Sequence, residues 1–131
     1  MKTISPEQAV ALVRDGAVLI DIRERHEHAS ENIPGARHHA LSQIDARHPV
    51  QSGDTILIYH CKSGARTKMN AKRLAAASGD CEVYLLGGGI EEWKRVGLPT
   101  SAKRSPKLAN AAAKHASHGW LSRLAAMFHF R

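Results

Sequence analysis

Long apolar runs, cysteines and, toward the C-terminus, acidic residues are what this chain has little of. No stretch approaches the ~20 consecutive apolar residues of a membrane span. Near the start, Glu7, Arg14 and Asp15 interrupt any stretch long enough to form a signal-peptide core. Two cysteines, Cys61 and Cys81, in 131 residues cannot build a disulfide framework, and they lack the C-x-x-C spacing of a zinc site. The expectation is a soluble protein of a reducing compartment, the cytoplasm, with no metal or organic cofactor. The length suits one domain able to bury a core without cross-links.

Acid is missing from one region only. Residues 1–100 carry 13 Lys/Arg and 12 Asp/Glu, a net of +1, whereas residues 101–131 carry six Lys/Arg and no acid, a net of +6. The change falls at Gly97-Leu98-Pro99-Thr100-Ser101, which has breaker and loop chemistry. The chain therefore reads as a domain over 1–100 and a basic tail over 101–131. Within the tail, residues 101–117 are rich in Ala, Lys and Ser and read as a tether. Beyond them Trp120, Leu121, Leu124, Met127 and Phe128 share one helical stripe. A basic amphipathic helix of this kind lies on an anionic membrane surface or docks in a protein partner's groove. The competing readings are a stripe that folds back on the domain and a barely ordered end. Nucleic acid is not expected as a partner, because interleaved aromatics are lacking.

Along the domain, strands alternate with helices. Lys2-Thr3-Ile4 reads as a strand, and Ser5, Pro6 and Gln8 as N-cap, N1 and N3 of a helix opened by a capping box and stopped at Gly16. Strands are expected at 17–20, 36–40, 56–60 and 82–86, and helices at 24–30, 41–47, 66–78 and 90–96. The longest of these has Met69, Ala71, Leu74 and Ala75 on its apolar stripe and Gly79 as its stop. Such alternation implies an α/β fold with a parallel sheet covered on both faces.

The chemistry concentrates at Cys61-Lys62-Ser63-Gly64-Ala65-Arg66, which follows the apolar run 55–59 and precedes a helix. Backbone N–H groups of a tight loop opening a helix converge near the first loop residue, where they favour an anion. Lys62, Arg66 and Lys68 add positive charge, and Ser63 offers a hydroxyl donor, so Cys61 is expected to be a thiolate nucleophile. Gly64 lets the loop turn. The string HCKSGART looks like a tyrosine-phosphatase signature with one residue missing, since four residues and not five separate Cys61 from Arg66. A shorter loop makes a smaller cradle, better suited to a single sulfur than to a phosphate with its three non-bridging oxygens.

That short loop resembles the active loop of the rhodaneses, and other blocks extend the resemblance. Asp21-Ile22-Arg23-Glu24, then Glu27, then Ile33-Pro34-Gly35-Ala36 are similar to the family's D-x-R-E and G-H-I-P-G-A. Leu86-Gly87-Gly88-Gly89 with Trp93, and Gly97-Leu98-Pro99, are similar to its ending. Glu31 and Asn32 depart from the usual Gly-His. The resemblance implies a rhodanese-like fold, a central five-stranded parallel sheet with helices on both faces. It also implies a sulfurtransferase in which Cys61 takes a sulfane sulfur from thiosulfate or a similar donor, holds it as a persulfide beneath the amides of 62–66, and passes it to cyanide or a thiol. Lys62 and Arg66 would attract the dianionic donor and steady the departing sulfite. The alternatives are a persulfide carrier or docking module with negligible turnover, and a phosphatase or arsenate-handling enzyme. The last is disfavoured by the short loop and by the lack of an assignable general-acid aspartate.

Other residues take plainer readings. Asp21 and Arg23, near the site by resemblance, are expected to fix the loop through an ion pair or backbone hydrogen bonds. His60 should point away from the thiol by strand alternation. Cys81 reads as a core-edge residue, Trp93 as the anchor of the last helix. His26, His28, His38 and His39 lack a consistent ligand set and read as solvated loop histidines.

Overall fold

The computed structural model describes residues 1–45 and 55–102. In chain order the strands are β1 (Lys2–Ile4), β2 (Val18–Asp21), β3 (Glu31–Asn32), β4 (Arg37–His38), β5 (Leu57–His60), β6 (Val83–Leu86) and β7 (Ser101–Ala102). The helices are α1 (Pro6–Arg14), α2 (Arg25–Ser30), α3 (Ala65–Met69), α4 (Ala71–Ala76) and α5 (Gly89–Arg95), with a 3-10 turn at Leu41–Gln43. Five strands form one sheet in the order β1-β6-β5-β2-β4, and every pair in it is parallel. The expected fold class holds.

β5 is central, which explains why Leu57, Ile58 and Tyr59 run on without alternating: all four of its residues, His60 included, are buried, so both sheet faces are covered. On one face α1 and α5 pack Ala9, Val10, Val13, Ile90 and the fully buried Trp93 against Leu19, Ile58 and Leu86. On the other, Leu74 and Ala77 meet Ile20, Leu57, Tyr59 and Leu85, with Cys81 packed at the edge. Cys61 belongs to this second core, so the strand that carries the thiol is clamped from both sides.

The capping box forms as expected, with Ser5 Oγ accepting from Gln8 N at 3.1 Å and Gln8 Oε1 from Ser5 N at 2.9 Å. The long helix expected over 66–78 is instead two helices broken at Asn70. The Asn70 amide donates to the Arg66 carbonyl at 2.8 Å, a side-chain competitor that ends α3. Met69, read as part of the apolar stripe, is 84% exposed, and Ala75 is exposed as well. The helix expected over 41–47 is only the 3-10 turn in its described part. There Arg73 Nη2 donates to the carbonyls of Leu41 and Ile44, both at 2.9 Å, so those acceptors are satisfied from α4. β3 and β7, absent from the sequence reading, pair antiparallel through Glu31–Ala102 and Asn32–Ser101. The tether and amphipathic stripe lie outside the described residues. No helix of the described residues is long and apolar enough to cross a membrane.

Candidate active site

Cys61 follows directly from β5, at the carboxyl ends of the parallel strands where open α/β sheets place their ligands. Its side chain is completely buried. The amide of Gly64 donates to Cys61 Sγ at 3.1 Å. Gly64 caps α3 with φ +96°, and a Cβ there would lie 3.2 Å from the Gly88 amide nitrogen, so both the turn and the neighbouring loop require glycine. The Thr67 hydroxyl stands 3.9 Å from Sγ and donates to the Gly64 carbonyl at 3.0 Å, which ties the first turn of α3 back over the sulfur.

A second helix end completes the loop from outside. Ile90 N donates to the Cys61 carbonyl at 2.9 Å and Glu91 N to the Lys62 carbonyl at 3.0 Å. With these carbonyls turned toward α5, the Gly64 amide is turned inward to the sulfur. Turning carbonyls away from a point and an amide toward it is the arrangement by which a backbone loop can favour an anion. The Gly87-Gly88-Gly89 run, a family block by resemblance, lets the start of α5 come close enough for those two amides to reach the loop.

Two polar side chains of the loop differ from the sequence expectation. Ser63, read as a donor toward Cys61, is exposed, and its Oγ accepts weakly from Ala65 N at 3.4 Å. The Arg66 guanidinium, expected to attract a dianionic donor, makes a bidentate pair with Glu27, Nη1 to Oε1 and Nη2 to Oε2, both at 2.8 Å. Glu27 Oε1 also accepts from Glu24 N at 3.1 Å, so the N-terminus of α2 holds the carboxylate in place. The Arg66 bonds hold the Glu27 carboxyl down at about 2, against the opposing effect of burial, and Glu27 in turn raises Arg66. Lys62 and Lys68 are exposed.

Behind the loop, Asp21 and Arg23 form the expected ion pair with each other. Asp21 is fully buried and Arg23 nearly so. Asp21 Oδ2 accepts from Arg23 Nη2 at 2.8 Å, and Oδ1 from Arg23 N at 2.9 Å and Nε at 3.0 Å. Arg23 Nη2 also donates to the Glu31 carbonyl. Burial alone would raise the Asp21 carboxyl, but Arg23, His60 and His28 outweigh it and bring it from 3.8 to about 2. His60 lies beside Asp21 in the sheet register, and its Nδ1 donates to the Cys61 carbonyl at 3.1 Å. Complete burial pushes its pKa down to about 4, although the Asp21 charge pulls the other way. His60 thus touches the loop's backbone, and no bond joins it to the thiol.

His28 and His38 are not solvated bystanders, as the sequence reading had them. His28 Nδ1 bonds Asp21 Oδ2 at 2.8 Å, His38 Nε2 donates to the Arg23 carbonyl at 2.7 Å, and their rings stack with centroids 4.5 Å apart. Asp21 stands at the end of β2 and His38 in β4, its neighbour in the sheet, so the pairing register was the signal that placed them together.

Comparison with known proteins agrees with this geometry. The model of the Rhodanese-like domain family matches residues 5–96. A thiosulfate sulfurtransferase GlpE of Ectopseudomonas mendocina is 38% identical over 96 residues, covering 71% of this chain and 84% of that protein. Another, of Pseudomonas fluorescens, is 31% identical over 109 residues, covering 81% and 96%. Among solved structures, a rhodanese-like domain from Anabaena superposes with a TM-score of 0.68 at 20% identity, covering 81% of this chain and 85% of that one. A rhodanese-related protein from Thermoplasma volcanium gives 0.66 at 18% identity, covering 79% and 100%. With its parallel sheet, its short cysteine loop and a family match over most of its length, this chain belongs to the rhodanese-like domain family.

Proposed function

We propose that the protein is a thiosulfate sulfurtransferase that works through a persulfide on Cys61. The observation that carries this reading is the seat of Cys61 Sγ beneath the Gly64 amide in a four-residue loop. The GlpE relatives support sulfur transfer as the reaction class. Cys61 thiolate attacks the outer sulfur of thiosulfate, the sulfur–sulfur bond breaks, and its electron pair leaves with sulfite. The persulfide's terminal sulfur keeps the negative charge and is held by the loop's amides. Cyanide or a thiolate then attacks that sulfur, and the electron pair of the breaking bond returns to Cys61 Sγ.

Incubation with thiosulfate should add the mass of one sulfur atom, and cyanide should remove it. Cys61→Ser should show neither change while keeping its fold by circular dichroism. Sulfur retained on the serine variant would move the site to Cys81 and overturn the assignment.

Positive charge at the loop's rim should act in two distinguishable ways. Lys62 is exposed, so Lys62→Ala should raise KM for thiosulfate more than it lowers kcat, with a defect that shrinks at high salt. Arg66→Lys keeps the charge but loses the fork that Glu27 holds, so kcat/KM should drop by about tenfold or more. Equal, salt-independent defects in the two variants would refute the division of roles.

A further inference from the structure

Resting on the sulfurtransferase reading, we infer that a cavity beside the active loop, with Lys62 and Glu91 at its wall, receives the sulfur acceptor, and that this acceptor is a small zwitterionic thiol carrying both an ammonium and a carboxylate. The cavity holds about 310 Å³. That is at the low end of the roughly 300–1,000 Å³ typical of small-molecule sites, which fits a compact metabolite.

The charges of its wall select the ligand. Its lining includes three basic side chains, Arg23, Lys62 and Lys94, and three acidic ones, Glu27, Glu31 and Glu91, so the formal charges cancel. Most are already engaged. Arg23 is held by Asp21 at 2.8 Å, Glu27 by Arg66 at 2.8 Å, and Lys94 by Glu31 at 2.9 Å. Among the described residues only Lys62 and Glu91 of these six have no hydrogen-bond or ion-pair partner for their side chains. Of these six, one cation and one anion therefore remain to meet a ligand, with the His26 imidazole and the Ser30 hydroxyl also on the wall. A dianion would be attracted by one and repelled by the other, whereas a zwitterion satisfies both.

Their position connects them to the chemistry. Lys62 follows Cys61 in the chain, and the Glu91 amide donates to the Lys62 carbonyl at 3.0 Å, so the two side chains are set on backbone segments bonded to each other beside the nucleophile. In the first half-reaction Lys62 attracts the donor's sulfonate. After sulfite leaves, the same ammonium takes the acceptor's carboxylate while Glu91 takes its ammonium. The acceptor's thiol gives its proton to solvent and its sulfur bonds to the outer sulfur of the persulfide. The bond to Sγ breaks, its electron pair restores the Cys61 thiolate, and the acceptor departs as its own persulfide. No oxidant or reductant is consumed.

This arrangement makes Glu91→Gln move the two half-reactions in opposite directions, which a merely structural role for Glu91 would not do. Full-length protein, loaded with thiosulfate and freed of excess donor, would be mixed with cysteine, cysteamine or 3-mercaptopropionate, and loss of the extra sulfur followed by intact mass. Each thiol is its own control, because intrinsic reactivity cancels in the ratio of variant to wild type. Glu91→Gln should raise the half-saturating concentration of cysteine and cysteamine by up to about fivefold, the scale of one exposed ion pair. It should lower that of 3-mercaptopropionate and the KM for thiosulfate. Glu91→Lys should enlarge both trends. A protein that loads no sulfur would overturn the sulfurtransferase reading and this one with it. A protein that loads sulfur and yields it to cyanide, yet whose Glu91 variants shift all three thiols alike or none, would overturn the acceptor assignment alone.

Discussion

Gly89→Ala should cost the protein most of its sulfur transfer and lower its melting temperature by roughly 10 °C or more. Gly89 has φ +59°, and a Cβ built on it would stand 2.4 Å from the Cys61 carbonyl oxygen and 2.5 Å from that of Lys62. Those obstacles are backbone, so no side chain can swing aside. The left-handed conformation costs about 1–2 kcal/mol with a Cβ, and forced overpacking about 1–3 kcal/mol more. Each kcal/mol is worth roughly 4–8 °C in a domain of this size. Relief would come by pushing α5 away from the loop, which breaks the Ile90 and Glu91 amide bonds to the same two carbonyls. The loop would then lose the restraint that turns its carbonyls outward. Gly79→Ala is the control, because its φ is +56° with nothing within 4 Å of the added carbon, so it carries the conformational cost alone. Thermal melts and thiosulfate turnover of the two variants would check this. Equal behaviour would mean that α5 does not restrain the loop.

Much of this architecture was legible because the informative signals are local. A capping box is three residues wide, and the run of apolar residues leading to Cys61 announces a strand buried on both faces. The strand-loop-helix around Cys61 and the pairing of Asp21 with Arg23 were legible for the same reason, aided by the family blocks. Periodicity gave the helical character and Leu74 but neither the whole buried face, since Met69 and Ala75 are exposed, nor the break at Asn70. There a single amide bond to the Arg66 carbonyl outweighs the propensity of Met69 to continue the helix. Contacts between segments left no mark on the sequence. Glu27 and Arg66 are 39 positions apart, and only the docking of α2 beside the loop turns the guanidinium from an open fork into half of an ion pair. His28 and His38 looked solvated because a histidine pattern carries no information about a buried carboxylate at the end of a neighbouring strand.

Asp21→Ala should destabilise the fold by about 3–5 kcal/mol at neutral pH, the usual cost of removing one member of a buried ion pair. Arg23 would be left only 5% exposed with its carboxylate gone, and His28 would lose a bond of 2.8 Å. The pH dependence identifies the cause. Asp21 has its pKa depressed in the fold, so its contribution is complete above about 4 and is lost as pH falls from 3.8 toward about 2. His60 is also depressed, from 6.5 to about 4, but as a base kept neutral by burial, so its proton uptake on unfolding erodes stability in that earlier window. The stability of the wild type should therefore fall with acid in two stages, the first from His60 and the second from the carboxylates. Asp21→Asn should keep much of the shape yet flatten the second stage, leaving the part due to Glu27 and Glu31. The gap between wild type and Asp21→Ala, measured by denaturant unfolding at neutral pH and near pH 3, should narrow in acid. A gap that is small at neutral pH, or constant across the range, would mean that packing and not charge holds this corner. Activity should follow stability here through geometry, because His60, beside Asp21 in the sheet, is bonded to the Cys61 carbonyl. Loss of the carboxylate would thus reach the sulfur through the backbone that carries it.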